Sequence, residues 1–179
     1  NTGHTVNVTG GVDIDTTTAF GMFVEGGGTI TVTGANNSIT STNSATALSV
    51  NNTTIGAAGL QFQTIQTAVG QIGSALVNTG TTGGLTITDG SPQNDIYFGG
   101  DGADSLAGGG GADTINGGGG TDTAVFDGNQ NEFNVTDQGG GSFLVERIST
   151  GDVDTLSSIE VLQFNDGTLP LLAAGGQAT

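Results

Sequence analysis

The amino-acid sequence predicts an all-β fold: a parallel β-helix over residues 1–89, a tighter glycine-rich β-roll over 90–134 and a β-rich C-terminal cap over 135–179. Three observations carry this expectation. Short apolar segments echo one another along the first half, Asp and apolar residues recur every ninth position in the middle, and 35 of the 179 residues are glycine, roughly threefold the usual share.

Residues 1–88 read as coils. Val6-Asn7-Val8-Thr9-Gly10 returns 24 positions later as Ile30-Thr31-Val32-Thr33-Gly34, and Leu85-Thr86-Ile87-Thr88-Asp89-Gly90 echoes it again. Between the first two lie Val12-Asp13-Ile14 and Met22-Phe23-Val24; between the later two lie Ile39, Leu48-Ser49-Val50, Leu60-Gln61-Phe62 and Leu76-Val77. Each interval offers about three short strands with one apolar face, joined by Gly, Asn and Thr turns, which suits rungs stacked ~4.8 Å apart. A Thr/Asn-rich sandwich is the competing arrangement, and residues 59–71 fit either a strand or one helical turn. Asn-x-Ser/Thr triplets begin at Asn7, Asn36, Asn51 and Asn52. In a segment so rich in these residues, chance accounts for them better than glycosylation does. Asp13 and Asp15 share one strand face, which reads as a solvated coil surface rather than a glycosidase carboxylate pair.

Charge divides the chain. Seventeen acids against the single base Arg147 give a net charge of −16, of which −13 falls on residues 89–179. Cations are the natural partners of such a chain, whereas nucleic acid and anionic membrane surfaces are not. The absence of Cys excludes zinc–thiolate sites, iron–sulfur clusters, disulfides and thiol catalysis. His4 alone builds neither a multi-histidine metal site nor a Ser–His–Asp triad, and without Lys there is no Schiff base or Walker-type phosphate loop. The expectation is a chain with no catalytic set of its own. No run of about 18 apolar residues exists, so membrane insertion is not expected. The sequence starts in the middle of a pattern, with no initiator Met and no charged region ahead of an apolar one, and so reads as a piece or a processed product.

Residues 90–125 divide into nines: Gly90 to Phe98, Gly99 to Ala107, Gly108 to Asn116 and Gly117 to Val125. Asp95, Asp104, Asp113 and Asp122 hold the sixth place, and Tyr97, Leu106, Ile115 and Ala124 hold the eighth. A flexible glycine linker has no reason to keep two such spacings. The units resemble the G-G-x-G-x-D-x-U-x nonapeptides of the repeats-in-toxin (RTX) family, a calcium-binding β-helix pattern.

That resemblance implies a fold and a ligand. The first six residues turn sharply, using conformations that glycine reaches without a Cβ clash, and the last three form a short strand whose eighth residue points inward. Two nonapeptides make one coil, so Asp95 faces Asp113 and Asp104 faces Asp122. The backbone of Gly99, Gly100, Gly102, Gly108, Gly109, Gly111, Gly117, Gly118 and Gly120 completes an oxygen cage suited to Ca²⁺. The first unit departs from the pattern with Ser91 and Gln93, which weakens the Asp95/Asp113 site. A faint fifth unit over 126–134 keeps Asn131 and Phe133 at the sixth and eighth places, with Asn131 opposite Asp113. Asp101 reads as a solvated turn residue in preference to an additional ligand.

Downstream, Asp154-Thr155-Leu156-Ser157-Ser158-Ile159-Glu160-Val161-Leu162-Gln163-Phe164-Asn165-Asp166-Gly167-Thr168 is similar to the segment that follows the repeats in many RTX proteins. Residues 132–137 and 142–148 flank Gln138-Gly139-Gly140-Gly141 and predict a β-hairpin. Together these form an apolar cap in which Asp152, Asp154, Glu160 and Asp166 serve capping and turn roles or complete further metal sites. The family implies secretion by a type I system and an extracellular or cell-surface location. The functional expectation is a calcium-folded structural or adhesive module of a surface, matrix or filament component. The alternative is a non-catalytic module of a secreted polysaccharide-acting enzyme or metalloprotease. Calcium ions are the expected partners, with head-to-tail self-association through the exposed first rung or a surface or matrix polysaccharide beyond them.

Overall fold

The computed structural model describes residues 4–16, 21–42, 46–68 and 71–171. Its first three coils contain three strands each: β1 (Thr5–Val8), β2 (Asp13–Thr16) and β3 (Met22–Glu25); β4 (Thr29–Val32), β5 (Ser38–Ser41) and β6 (Thr46–Asn51); β7 (Thr54–Phe62), β8 (Thr64–Thr67) and β9 (Ile72–Val77). Corresponding strands pair in parallel, so the 24-residue echo becomes direct contact: Val6 lies beside Ile30 and Val8 beside Val32. The parallel β-helix is the fold, and of residues 59–71 those at 59–62 and 64–67 lie in β7 and β8, while 69 and 70 fall outside the described residues. The third echo is displaced. β7 carries extra residues that shift its register, so Leu85 stacks on Leu60 and Val32 rather than on Ile30.

Beyond β9 the coil contracts. β10 (Leu85–Ile87), β11 (Ile96–Gly100), β12 (Ser105–Ala107), β13 (Thr114–Gly118) and β14 (Thr123–Val125) alternate between two sheets, β1-β4-β7-β10-β12-β14 and β3-β6-β9-β11-β13. The third sheet, β2-β5-β8, ends at β8. Partners lie 24–28 residues apart in the wide coils and 18 apart between the repeats of the roll, which is two nonapeptides.

Inward side chains form columns along the axis. Phe62, Ile87, Leu106, Ala124 and Leu162 are aligned by register and fully or almost fully buried. Tyr97, Ile115 and Leu156 form the facing column. Ala124, the smallest of the eighth-place residues, is as buried as the rest. Tyr97 sits where the interior narrows from three sheets to two. Its ring occupies the space that a Cβ on Gly73 would need, and its hydroxyl donates to the Ile65 carbonyl of the last third-sheet strand at 2.6 Å. An aliphatic residue could fill this corner but could not satisfy that buried carbonyl.

The cap begins with a 3-10 turn at Gln130–Glu132 and the antiparallel hairpin β15 (Phe133–Gly139) and β16 (Ser142–Arg147), as the Gly139-Gly140-Gly141 run predicts. The chain then returns to the roll. β17 (Val153–Ser157) lies parallel on β13 and β18 (Val161–Phe164) parallel on β14, and β19 (Gly167–Pro170) closes antiparallel on β18. Residues 153–164 therefore build the last coil, and residues 126–134 do not. Asn131 is exposed in the 3-10 turn, while Phe126 and Phe133 pack with Phe164 at centroid distances of 5.2–5.6 Å. The expectation of Asn131 opposite Asp113 is corrected on this ground. Without a glycine-rich turn after Val125, the chain leaves the solenoid and buries its aromatic side chains. Arg147 lies over the Phe133 ring at 4.6 Å and donates to the Asp127 carbonyl.

Tyr97→Phe should keep the fold and cost about 1–2 kcal/mol, the usual penalty for orphaning one buried carbonyl. Equilibrium denaturation in saturating calcium measures it.

Candidate metal centre

Strands of the roll are joined by turns on two edges. Turns 99–104 and 117–122 stack on one edge, and turns 90–95 and 108–113 on the other, because two nonapeptides complete a coil. In each stack a sixth-place Asp turns its carboxylate onto the main chain of the preceding coil. The Asp104 N–H donates to Asp122 Oδ1 at 2.9 Å, and the Asp95 N–H to Asp113 Oδ1 at 2.8 Å. The series continues beyond the repeats. Leu85 N–H donates to Asp104 Oδ1 at 2.6 Å, Asp122 N–H to Glu160 Oε2 at 2.7 Å, and Asp113 N–H to Asp154 Oδ1 at 2.7 Å.

One oxygen of each carboxylate is thereby used, and the other is left over. Asp104, Asp113 and Asp122 are no more than 2% exposed, and the Oδ2 atom of each is buried with no hydrogen-bond partner. Each leftover oxygen is aimed at the first glycine of its own turn. A Cβ on Gly99 would overlap Asp104 Oδ2 and come within 2.6 Å of the Gly117 carbonyl oxygen. On Gly108 it would overlap Asp113 Oδ2; on Gly117 it would overlap the Ser158 carbonyl oxygen and lie 2.5 Å from Asp122 Oδ2. Gly99 and Gly117 thus leave small cradles edged by a carboxylate and a carbonyl oxygen, and Gly108 one edged by the Asp113 carboxylate. Second-place Gly100, Gly109 and Gly118 have φ near +100°, the left-handed turn that brings the next strand back. The fourth-place glycines serve close approach: a Cβ on Gly102 would overlap the Gly83 carbonyl, one on Gly120 the Gly102 carbonyl, and one on Gly111 would crowd Asn94.

These features fit a hard cation. Burial pushes the Asp104 carboxyl up to about 7, opposed by the Leu85 N–H and reinforced by Asp122 and Asp101. Burial likewise lifts Asp113 to about 8, opposed by the Asp95 N–H and reinforced by Asp154, Asp95 and Asp152. Asp122 is raised by burial with Glu160 adding to it, and Asp154 rises to about 6 for the same first reason. A divalent cation seated against the leftover oxygens would offset both the lost hydration and the repulsion. Among the described residues no group of three or more acidic or imidazole side chains is placed to hold a metal ion, so carbonyls must supply most of the oxygens. Ca²⁺, which takes about six to eight oxygen ligands with loose geometry, suits such a set.

Residues 89–124 match the family model of RTX calcium-binding nonapeptide repeats, in four copies. No curated protein matches the chain. The roll is therefore a run of calcium-binding repeats of a kind typical of secreted bacterial proteins. Among the described residues no helix is long and apolar enough to cross a membrane.

Asp95 differs from the other three. Its Oδ2 accepts the Ser91 hydroxyl and its Oδ1 accepts the Thr67 hydroxyl at 3.2 Å, so both oxygens are engaged within the protein. Ser91, the departure from glycine in the first unit, supplies one of these hydroxyls. Asp101 is exposed, as a solvated turn residue should be. Asp154 and Glu160 occupy the next ladder positions. Ser158, which no side-chain pattern marks, presents a main-chain oxygen to Gly117.

Gly99→Ala should abolish or greatly weaken calcium-coupled folding, whereas Gly119→Ala, whose Cβ would meet nothing nearer than 3.8 Å, should leave it within about twofold, as surface changes do. Calcium titrations followed by circular dichroism compare the two. A pH dependence follows from the raised carboxyls. In calcium-free solution native Asp104 and Asp113 hold protons that the unfolded chain, with carboxyls near 3.8, has released. The stability they confer is full below that value and is lost as pH rises through about 7 to 8. Calcium must displace the same protons, so its apparent affinity should increase over this window. Thermal unfolding at pH 5 and pH 8.5, with chelator and with calcium, should show opposite trends.

Proposed function

We propose that the chain is a calcium-folded structural or adhesive module of an exported bacterial surface, matrix or filament protein. The observation that carries this reading is the set of buried carboxylate oxygens, on Asp104, Asp113 and Asp122, left without any partner from the protein. In a low-calcium cytosol these acids repel, and the glycine-rich roll loses much conformational freedom on ordering, so the segment stays unfolded and can thread a type I export channel. Outside the cell calcium neutralises the acids and folds the roll against its cap.

A structural rather than catalytic role is supported by how the polar groups are used. The roll acids grip main-chain N–H groups, and coil polar residues bond to their counterparts one coil away, as Thr31 does to Asn7 and Asn78 to Asn52. Beyond calcium, we infer that partners are further copies of the solenoid or a surface or matrix polysaccharide.

The roll and its cap should be disordered in chelator and gain β-structure at millimolar calcium, with a matching fall in hydrodynamic radius. Asp104→Asn should raise the calcium midpoint several-fold, and Asp101→Asn should scarcely move it, since a charge at a buried site counts for more than one on a solvated turn. Identical spectra and radii in chelator and calcium would overturn the proposal.

A further inference from the structure

We propose that the cap closes a cation site of its own at the end of the roll, formed by the Asp122 carboxylate, the turn beginning at Gly117 and the main-chain carbonyl of Ser158, with Glu160 beside it. This rests on the calcium reading of the repeats and extends it beyond residues 89–124, the part that matches the repeat family.

Two adjacent slots on one edge have the same construction. In the inner slot, Asp104 Oδ2 and the Gly117 carbonyl both crowd the Cβ position of Gly99. In the outer slot, Asp122 Oδ2 and the Ser158 carbonyl both crowd the Cβ position of Gly117. Ser158 stands to Gly117 as Gly117 stands to Gly99. The hydrogen-bond ladder agrees, for Glu160 accepts the Asp122 N–H as Asp122 accepts that of Asp104. Here the cap reproduces with Ser158-Ile159-Glu160 what a repeat does with six residues, and the longer Glu side chain spans the shortened turn.

The observation that points to a ligand is Asp122 itself. It is wholly buried, and its Oδ2 has no partner. A pure cap would have no reason to leave that oxygen unmet, since a Ser or Asn hydrogen bond would satisfy it at little cost, as Ser91 does for Asp95. The Ser158 side chain is exposed and its φ is +50°, so the residue contributes its backbone, and the left-handed turn sets the carbonyl against the slot. The cap then shares ligands with the last repeat, and its order depends on calcium.

Terbium- or calcium-soaked crystals of the chain, read by anomalous scattering, test the site directly. The expected result is a peak about 2.3–2.6 Å from both the Ser158 carbonyl oxygen and Asp122 Oδ2. A peak between Asp104 and Gly117 with only water in the outer slot overturns this proposal and leaves the repeats as calcium sites; no peak anywhere overturns both. In solution, hydrogen exchange of residues 155–164 should slow on calcium binding in the wild type and in Asp101→Asn, and should stay fast in Asp122→Asn. Glu160→Gln, which keeps an acceptor for the Asp122 N–H, should weaken the last calcium step about three- to tenfold through loss of a nearby charge. Calcium-independent protection of 155–164 in the wild type would overturn the proposal.

Discussion

The roll depends on one contact: a carboxylate oxygen of a turn Asp accepting the main-chain N–H of the Asp one coil earlier. It satisfies a backbone donor that no strand ladder reaches, and it fixes turn on turn in the register that the strands require. It also draws each acid beneath the next turn, where hydration is lost. An ionised carboxylate so placed is costly unless a cation or proton compensates it. The same contact that gives the stack its register thus creates the demand for calcium, because it uses one oxygen and strands the other on Asp104, Asp113 and Asp122.

The join between the wide helix and the narrow roll is held by hydrogen bonds from the protein's own side chains. Asp95 is met by the Ser91 and Thr67 hydroxyls, Gln93 by Gln66 at 2.7 Å, and the interior step from three sheets to two is filled by Tyr97. Hydroxyls and amides offer directed hydrogen bonds within a fold whose third sheet is just ending, so the first repeat is anchored to the last wide coil by the protein's own groups. Unpartnered carboxylate oxygens therefore begin at the second repeat, with Asp104. The apolar column of Phe62, Ile87, Leu106 and Ala124 runs without a break from the wide coils into the roll.

Much of this was legible in the sequence wherever the signal was a side chain at a fixed spacing. The echo of Val6 and Val8 in Ile30 and Val32 is a pairing register, and the nine-residue spacing of Tyr97, Leu106, Ile115 and Ala124 is the roll's alternation between two sheets. The third echo misled by position, since the additional residues of β7 carry no periodicity of their own and move Leu85 onto Leu60. Asn131 misled because spacing by nine continues by chance after the turn-forming glycines have ended. The true successor of Asp113 could be read elsewhere. Asp154-Thr155-Leu156 repeats the order of Asp113-Thr114-Ile115, and these triplets lie side by side in β17 and β13. Ser158 was not legible, since a residue that acts through its carbonyl leaves no mark in a pattern of side chains.

Glycine meets two demands in the roll, conformational and volumetric, and the first and second places weigh them differently. At the second place the requirement is conformational, a φ near +100°, which a residue with a side chain meets only with strain. At the first place it is volumetric: the backbone is unremarkable, but a methyl group would fill the space between a carboxylate and a carbonyl of the next turn. Ser91 stands at a second place and is buried, yet its turn holds because its hydroxyl takes up the carboxylate oxygen that a cation meets elsewhere. A serine there gives Asp95 Oδ2 an internal hydrogen bond that the Oδ2 atoms of Asp104, Asp113 and Asp122 lack. The end of the repeats nearest the β-helix carries that bond, while the end nearest the cap keeps its unmet oxygens.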